Sequence, residues 1–430
     1  MTIKSASGFF RSAAILLSGT VLAQGITFAA GLVLARLFDE TAFGHFAAFT
    51  SVLAILVIVS TGSYDKALMF AGSQRRFHAL VLVVLVLAIA LTSFALLVAT
   101  IAIRLGVALP GAFGRIDQLL LLSLATIGFA CGQVFVSIAL RARRNSHVAV
   151  SKVGQSVLTS TAQLGLGALG ARFGLSIGHA FGWALFIPLV YLQLRRGGLR
   201  LTRQMLLAAR SSLRRFAAYP RYVCVNEFFD SLSQQIPLIL IATLFSIETL
   251  GHYSFSYRIM AGPSALLGLA VSQSFLQRIG GGLFDPVAIR ALLLRVWRTL
   301  LLLAIVPFGV MGFWGEEMFV LLFGPNWAEA GRISAVSTPL LLARFVSSPT
   351  STIMYRLELQ RQQFFLSMFM MIARSAPIAL AMGGATIYQV IAVQSVGEIG
   401  VIIAFNLTAL RALASRRRDL TPIQSSAPRV

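Results

Sequence analysis

The sequence predicts an all-α fold: a polytopic membrane protein with about twelve transmembrane helices in two six-helix bundles. Three observations carry that expectation. First, only 12% of the 430 residues are charged and 57% are hydrophobic, with a mean hydropathy of +0.83. Soluble domains carry about 25% charged residues. Second, the apolar residues come in blocks of roughly 18 or more, the length a helix needs to cross a bilayer, rather than in alternation. Third, the basic residues gather at every second boundary between blocks. Together these exclude a soluble globular enzyme and a disordered chain.

Taken in order, the blocks place spans at 13–35, 43–62, 79–103, 118–140, 150–171, 175–194, 222–245, 253–276, 297–315, 333–354, 364–383 and 386–410. Lys4 and Arg11 before the first block look like the start of a signal peptide, but the block is too long, and too many spans follow, for cleavage to be the better reading. With the N-terminus inside, 28 of the 36 lysines and arginines fall in inside segments, five fall outside and three within spans. That asymmetry predicts both termini in the cytoplasm and an even number of spans. It also accounts for the net charge of +22 without a nucleic-acid partner. Cys131 and Cys224 lie in or beside apolar blocks and suggest neither a disulfide framework nor a zinc site.

The longest inside segment, 195–221, holds eight arginines. Wound as a helix, it sets Arg200, Arg203, Arg210 and Arg214 opposite Leu201, Met205, Leu213 and Phe216, the pattern of an interfacial helix on an anionic leaflet. This linker divides the chain into a first bundle at 1–194 and a second at 222–430. A short repeat supports the division: Glu40-Thr41-Ala42-Phe43-Gly44-His45-Phe46 precedes span two, and Glu248-Thr249-Leu250-Gly251-His252-Tyr253 precedes span eight. Six spans per half gives both halves the same orientation, as in transporters built from parallel repeats that place a substrate site between them.

No motif points to catalysis or to a cofactor. Gly165-Leu166-Gly167-Ala168-Leu169-Gly170 matches GxGxxG but sits inside an apolar block, where small residues serve helix packing. The five histidines lack paired ligand spacing, and no GxSxG or P-loop is present. The informative residues are charges within spans, each of which must face a cavity or a partner because burial in lipid costs about 2.5–3.5 kcal/mol. They are Glu227, Asp230, Arg258, Arg344, Arg374 and Glu398, all in the second half. One reading is salt bridging between helices, pairing Asp230 or Glu398 with Arg258 or Arg374. The other is a cationic cavity of Arg258, Arg344 and Arg374, whose planar forks suit phosphate oxygens, with Asp230, Glu398 and Glu227 left for ion coupling or charge pairing. Pro237 and Pro263 are the candidate hinges.

The stretch from Phe216 to Gly281 resembles the polysaccharide flippases of the multidrug/oligosaccharidyl-lipid/polysaccharide exporter superfamily. The likeness rests on a polar seventh span with Ser233-Gln234-Gln235-Ile236-Pro237, then Gly251-His252-Tyr253, then Tyr257-Arg258 with Pro263 and Gly268-Leu269-Ala270. Arg36 before an acidic turn with Phe43-Gly44, and the outside loop Phe323-Gly324-Pro325-Asn326-Trp327-Ala328-Glu329-Ala330-Gly331, add to it. The resemblance implies a non-enzymatic carrier of lipid-linked oligosaccharide, with undecaprenyl-pyrophosphate repeat units moved to the outer leaflet for O-antigen or exopolysaccharide (lipopolysaccharide or exopolysaccharide synthesis). It also implies membrane lipids and, in addition, a polysaccharide polymerase and other assembly proteins as partners. It places a cavity arginine at Arg258, before the proline. A drug or small-cation antiporter of the same superfamily, a membrane-embedded polymerase and a non-transporting scaffold remain alternatives. The first half has no buried acid except Asp65, beside Lys66, which counts against the antiporter. The outside loops are short for a polymerase.

Overall fold

The computed structural model describes residues 3–106, 115–196, 203–262, 286–348, 350, 354, 357 and 359–420. The described residues are helical throughout, with no strand among them. They divide into two compact units, Met1–Gly251 and His252–Val430.

The first unit begins with α1 (Ile3–Leu37) and α2 (Glu40–Thr61). Asp39 caps α2 by accepting the Ala42 amide at 2.8 Å, and Gly62 ends it in the left-handed region at φ 55°. A one-turn helix at Tyr64–Ala67 leads to α3 (Gln74–Arg104), which Ser73 caps. Then come α4 (Ile116–Arg141) and α5 (Asn145–Ala168). The expected sixth span is two pieces, α6 (Gly174–Ala184) and α7 (Phe186–Arg196). After α8 (Arg203–Arg215), α9 (Cys224–Leu244) packs against α2. The core joins Leu68, Phe77, Leu80, Val134, Phe135 and Phe186.

Helix 247–262, here α10, crosses from the first unit to the second. The second unit continues with α11 (Pro286–Phe323), kinked at Trp314, then α12 (Ala328–Ser347), α13 (Gln360–Ser375) and α14 (Ile387–Leu420). Beyond Ser375 the backbone tightens into a 3-10 helix at Ala376–Gly383, with Pro377 in its first turn. The loop motif at Phe323–Gly331 is anchored by Trp327, which is buried with its ring centroid 4.0 Å from that of Phe255.

Among the described residues, eight helices are long and apolar enough to cross a membrane, and they cover spans one to four, six, nine, eleven and twelve of the sequence reading. Helices also stand at the other four places: α5, α9, α10 and α12. Of these, α5, α9 and α12 are more polar, and α5 shows why; the described part of α10, 247–262, is shorter than a full span. Its Ser156 hydroxyl donates to the Ala23 carbonyl at 2.6 Å, Lys152 donates to Thr20 at 3.1 Å, and the Gln163 amide donates to the Leu175 carbonyl at 2.8 Å. Hydropathy underrates a span whose polar groups are satisfied by neighbouring helices.

The helix expected at the inner surface is present as α8, but part of its apolar face is taken by protein. Met205, Ala209 and Phe216 are buried, and α8 packs along α3. Arg210, Arg214 and Arg215 stay exposed, and so do Leu207 and, at its margin, Leu213. Arg200 and Leu201 lie outside the described residues.

Candidate functional site

The site grows out of four helices of the second unit. Gln394 and Glu398 are one turn apart on α14, so both project from the same face. Tyr253 and Tyr257 repeat that spacing on α10 and stack with ring centroids 6.3 Å apart. Arg344 and Arg374 each occupy the last turn of their helix, α12 and α13, where the unpaired carbonyls favour a cation. Pro377 helps fix the end of α13, because a proline amide cannot continue the α-helical ladder.

These side chains converge on one carboxylate. Glu398 Oε2 accepts from Arg344 Nη2 and from Arg374 Nε, the latter at 3.2 Å. Glu398 Oε1 accepts from Gln394 Nε2 at 3.0 Å. Arg344 Nη1 donates to the Tyr257 hydroxyl, and its guanidinium lies 5.6 Å from that ring's centroid. Two turns beyond Glu398, Asn406 accepts from Thr350 at 2.8 Å and donates to Ser347 at 2.8 Å, tying the same end of α12 to α14.

Exposure separates the roles. Glu398 is 0% exposed, whereas Arg344 keeps 25% and Arg374 19% of their side-chain surface. The carboxylate is enclosed, and the guanidinium side chains keep part of their surface accessible. Two guanidiniums over one carboxylate leave positive charge in excess, and both present planar N–H donors suited to a bidentate oxyanion.

Of the three arginines expected in a cationic cavity, the structure therefore brings Arg344 and Arg374 together. Arg258 is next to Tyr257, but about 100° further round α10. It is half-buried and makes no ion pair among the described residues. The acids separate as well. Glu398 is the shared partner. Glu227 belongs to the first unit, where it pairs with Lys66 and accepts from the Ser63 hydroxyl at 2.9 Å. Asp230, also in that unit, is exposed and accepts from Gln234 at 3.2 Å. Pro237 is buried inside α9, and Pro263 lies outside the described residues. Gln394 and Asn406 were not singled out from the sequence, and Tyr257 was noted only as part of the Tyr257-Arg258 motif, without a role. The signal for Gln394 was available: an amide one turn before a lone acid in an apolar run.

A family model matches most of the chain, and solved structures superpose on nearly all of it. A family model described as polysaccharide biosynthesis protein matches residues 33–332. No curated protein matches the chain. Among solved structures, the lipid II flippase MurJ in an inward closed conformation superposes with a TM-score of 0.69 at 13% identity, over 93% of this chain and 89% of that one. A MATE crystal structure gives 0.59 at 12% identity, over 95% and 96%. A MOP superfamily transporter from Pyrococcus furiosus gives 0.53 at 12% identity, over 95% and 96%. At such identities the likeness is one of fold.

Proposed function

The chain belongs to the polysaccharide biosynthesis protein family, and on that premise we propose that it is a flippase. Its cargo is a lipid-linked oligosaccharide on undecaprenyl pyrophosphate, carried across the bacterial cytoplasmic membrane by alternating access for the synthesis of a surface polysaccharide. The observation that carries the reading is the pair of guanidiniums sharing the buried Glu398. Their positive excess inside an apolar helical unit suits a pyrophosphate, and Glu398 holds both forks in place when no anion is bound. Arg258, a charge without an ion-pair partner among the described residues, is assigned to the same anion path. The fold neighbour named as a lipid II flippase supports a lipid-linked cargo. Membrane lipids hold the polyprenyl tail, and a polymerase takes the delivered units.

The test is deletion of the gene in its host, followed by separate analysis of lipid-linked repeat units on each leaflet. The expected result is accumulation on the cytoplasmic leaflet and loss of the surface polymer, restored by the native gene but not by Arg344→Ala or Arg374→Ala made to equal membrane levels. Normal polymer with altered drug sensitivity would overturn the reading in favour of an exporter. Delivered but unpolymerised units would overturn it in favour of a polymerase.

A further inference from the structure

The short repeat that precedes spans two and eight acquires a physical meaning within the first unit. The first turns of α2 and α10 touch through backbone. A methyl group added to Gly44 would lie 1.9 Å from the Ile247 carbonyl oxygen, and one added to Gly251 would lie 1.9 Å from the Glu40 carbonyl oxygen. Aligning the two Gly-His pairs matches Gly44 with Gly251 and Glu40 with Ile247. Each repeat thus presses its glycine hydrogen against the equivalent carbonyl of the other. Phe43 and Leu250, the residues before the two glycines, are both buried beside the contact. Contacts of this kind are short Cα–H···O approaches that only glycine permits.

The other end of α2 is held differently. Gly62 and Ser63 both have φ of 55°, a conformation rare for serine. This turn aims the Ser63 hydroxyl at Glu227, and Lys66 pairs with the same carboxylate. Thr61 in turn donates to Asp65 at 2.9 Å, and the Cys224 thiol lies 3.6 Å from the Ile58 carbonyl. One helix of the first repeat is therefore held by close backbone contact at one end and by polar side chains at the other.

We propose that these are two opposed gates: the Gly44–Gly251 clasp closes the outside, and the Ser63–Lys66–Glu227 latch closes the inside. The inference rests on the alternating-access reading and deepens it by naming the residues that open and close. The chemistry of each end suits its task. Parting the glycines strands no ion pair. The latch sits at a half-exposed end, where an ion pair is worth about 0–1 kcal/mol and can break and re-form. With both engaged the α2 seam is shut at both ends, so opening either way requires releasing one.

Thiol accessibility tests the gates without reference to any cargo. In a Cys131→Ser background, Cys224 reports on the latch, and Leu250→Cys, at a buried position beside the contact, reports on the clasp. Labelling is read with an impermeant maleimide in membrane vesicles of each orientation. Gly44→Ala and Gly251→Ala should each raise outside labelling at position 250 by about 5-fold or more and lower inside labelling of Cys224. Lys66→Gln should do the reverse. Gly154→Ala, where the added methyl meets no atom within 4 Å, should change neither. Rates unchanged by the glycine variants, or rising together at both ends, would overturn the proposal.

A second measurement covers glycine variants that fail to fold. Thr41→Cys and Glu248→Cys are joined in cells by a reducible impermeant linker, with both native cysteines replaced by serine. Export of surface polymer should stop on linking and resume on reduction. Export that continues in linked protein would overturn the clasp as a gate. If polymer export proves independent of the gene, the cargo assignment fails, while the thiol rates still decide the gates.

Discussion

The two units share a helical plan but handle charge in different ways. In Met1–Gly251 the ion-paired acids Asp117 and Glu227 lie in the first turns of their helices and bind partners that keep access to water; the Lys66 and Glu227 side chains are 47% and 26% exposed. In His252–Val430 one wholly buried carboxylate sits beneath two arginines drawn from different helices. An exposed pair is worth little in water, whereas a buried acid would be left uncompensated without its partners. One unit thus holds a half-exposed pair that water can replace, and the other holds a charge cluster built on a buried acid.

The largest effect should come from the cluster. Glu398→Gln leaves two guanidiniums facing each other without their shared counter-charge and should destabilise the protein by about 3–5 kcal/mol. Glu227→Gln, at a half-exposed pair, should change stability by no more than about 1 kcal/mol. Thermal unfolding of detergent-purified protein compares them, and equal losses would erase the contrast between the units. Next in size, Arg344→Lys should cut polymer export about tenfold or more at normal membrane levels, because one ammonium cannot serve both Tyr257 and Glu398 with planar donors. Lys66→Arg keeps a cation at the latch and should support export within about twofold. Complementation with blotted membrane fractions reads both. The smallest effect is expected at the exposed pair between Arg332 and Glu316, which bond through two N–H groups at 2.8 and 2.6 Å. Arg332→Ala should shift the melting temperature no more than Gly154→Ala does, and added salt should not change that result.

Much of this was legible in the sequence, for reasons specific to particular residues. Apolar blocks show where the helices run, because lipid leaves a backbone few alternatives. Glu398 stands out as an acid in an apolar run, and Arg344 and Arg374 as cations in theirs. Their convergence is not legible: 30 residues separate the arginines along the chain, and only the packing of α12, α13 and α14 brings both to one carboxylate. Arg258 drew attention by its charge and its place in a family motif, while its neighbour Tyr257, one step round the helix, makes the contact. Lys66 was set beside Asp65 by proximity in sequence, yet its partner is Glu227 on α9. The basic linker read as a membrane-surface helix because its arginines are patent, whereas the complementary surface on α3 has no local signature. The Gly-His repeat was visible, but a carbonyl's approach to a glycine belongs to a helix crossing and has no side-chain code.

The change of winding after Arg374 has a consequence for the length of that span. An α-helix advances about 1.5 Å per residue and a 3-10 helix about 2.0 Å. The 16 residues of α13 reach only about 24 Å, short of a hydrocarbon core of about 30 Å. The eight residues at Ala376–Gly383 add about 16 Å wound as 3-10, against about 12 Å wound as α. Wound as it is, the span reaches about 40 Å, about 10 Å more than the core, and Arg374 sits where the ladder changes. A span longer than the core is accommodated by tilting or by local thickening of the bilayer, so the tighter winding bears on how the helix that carries this guanidinium meets the membrane.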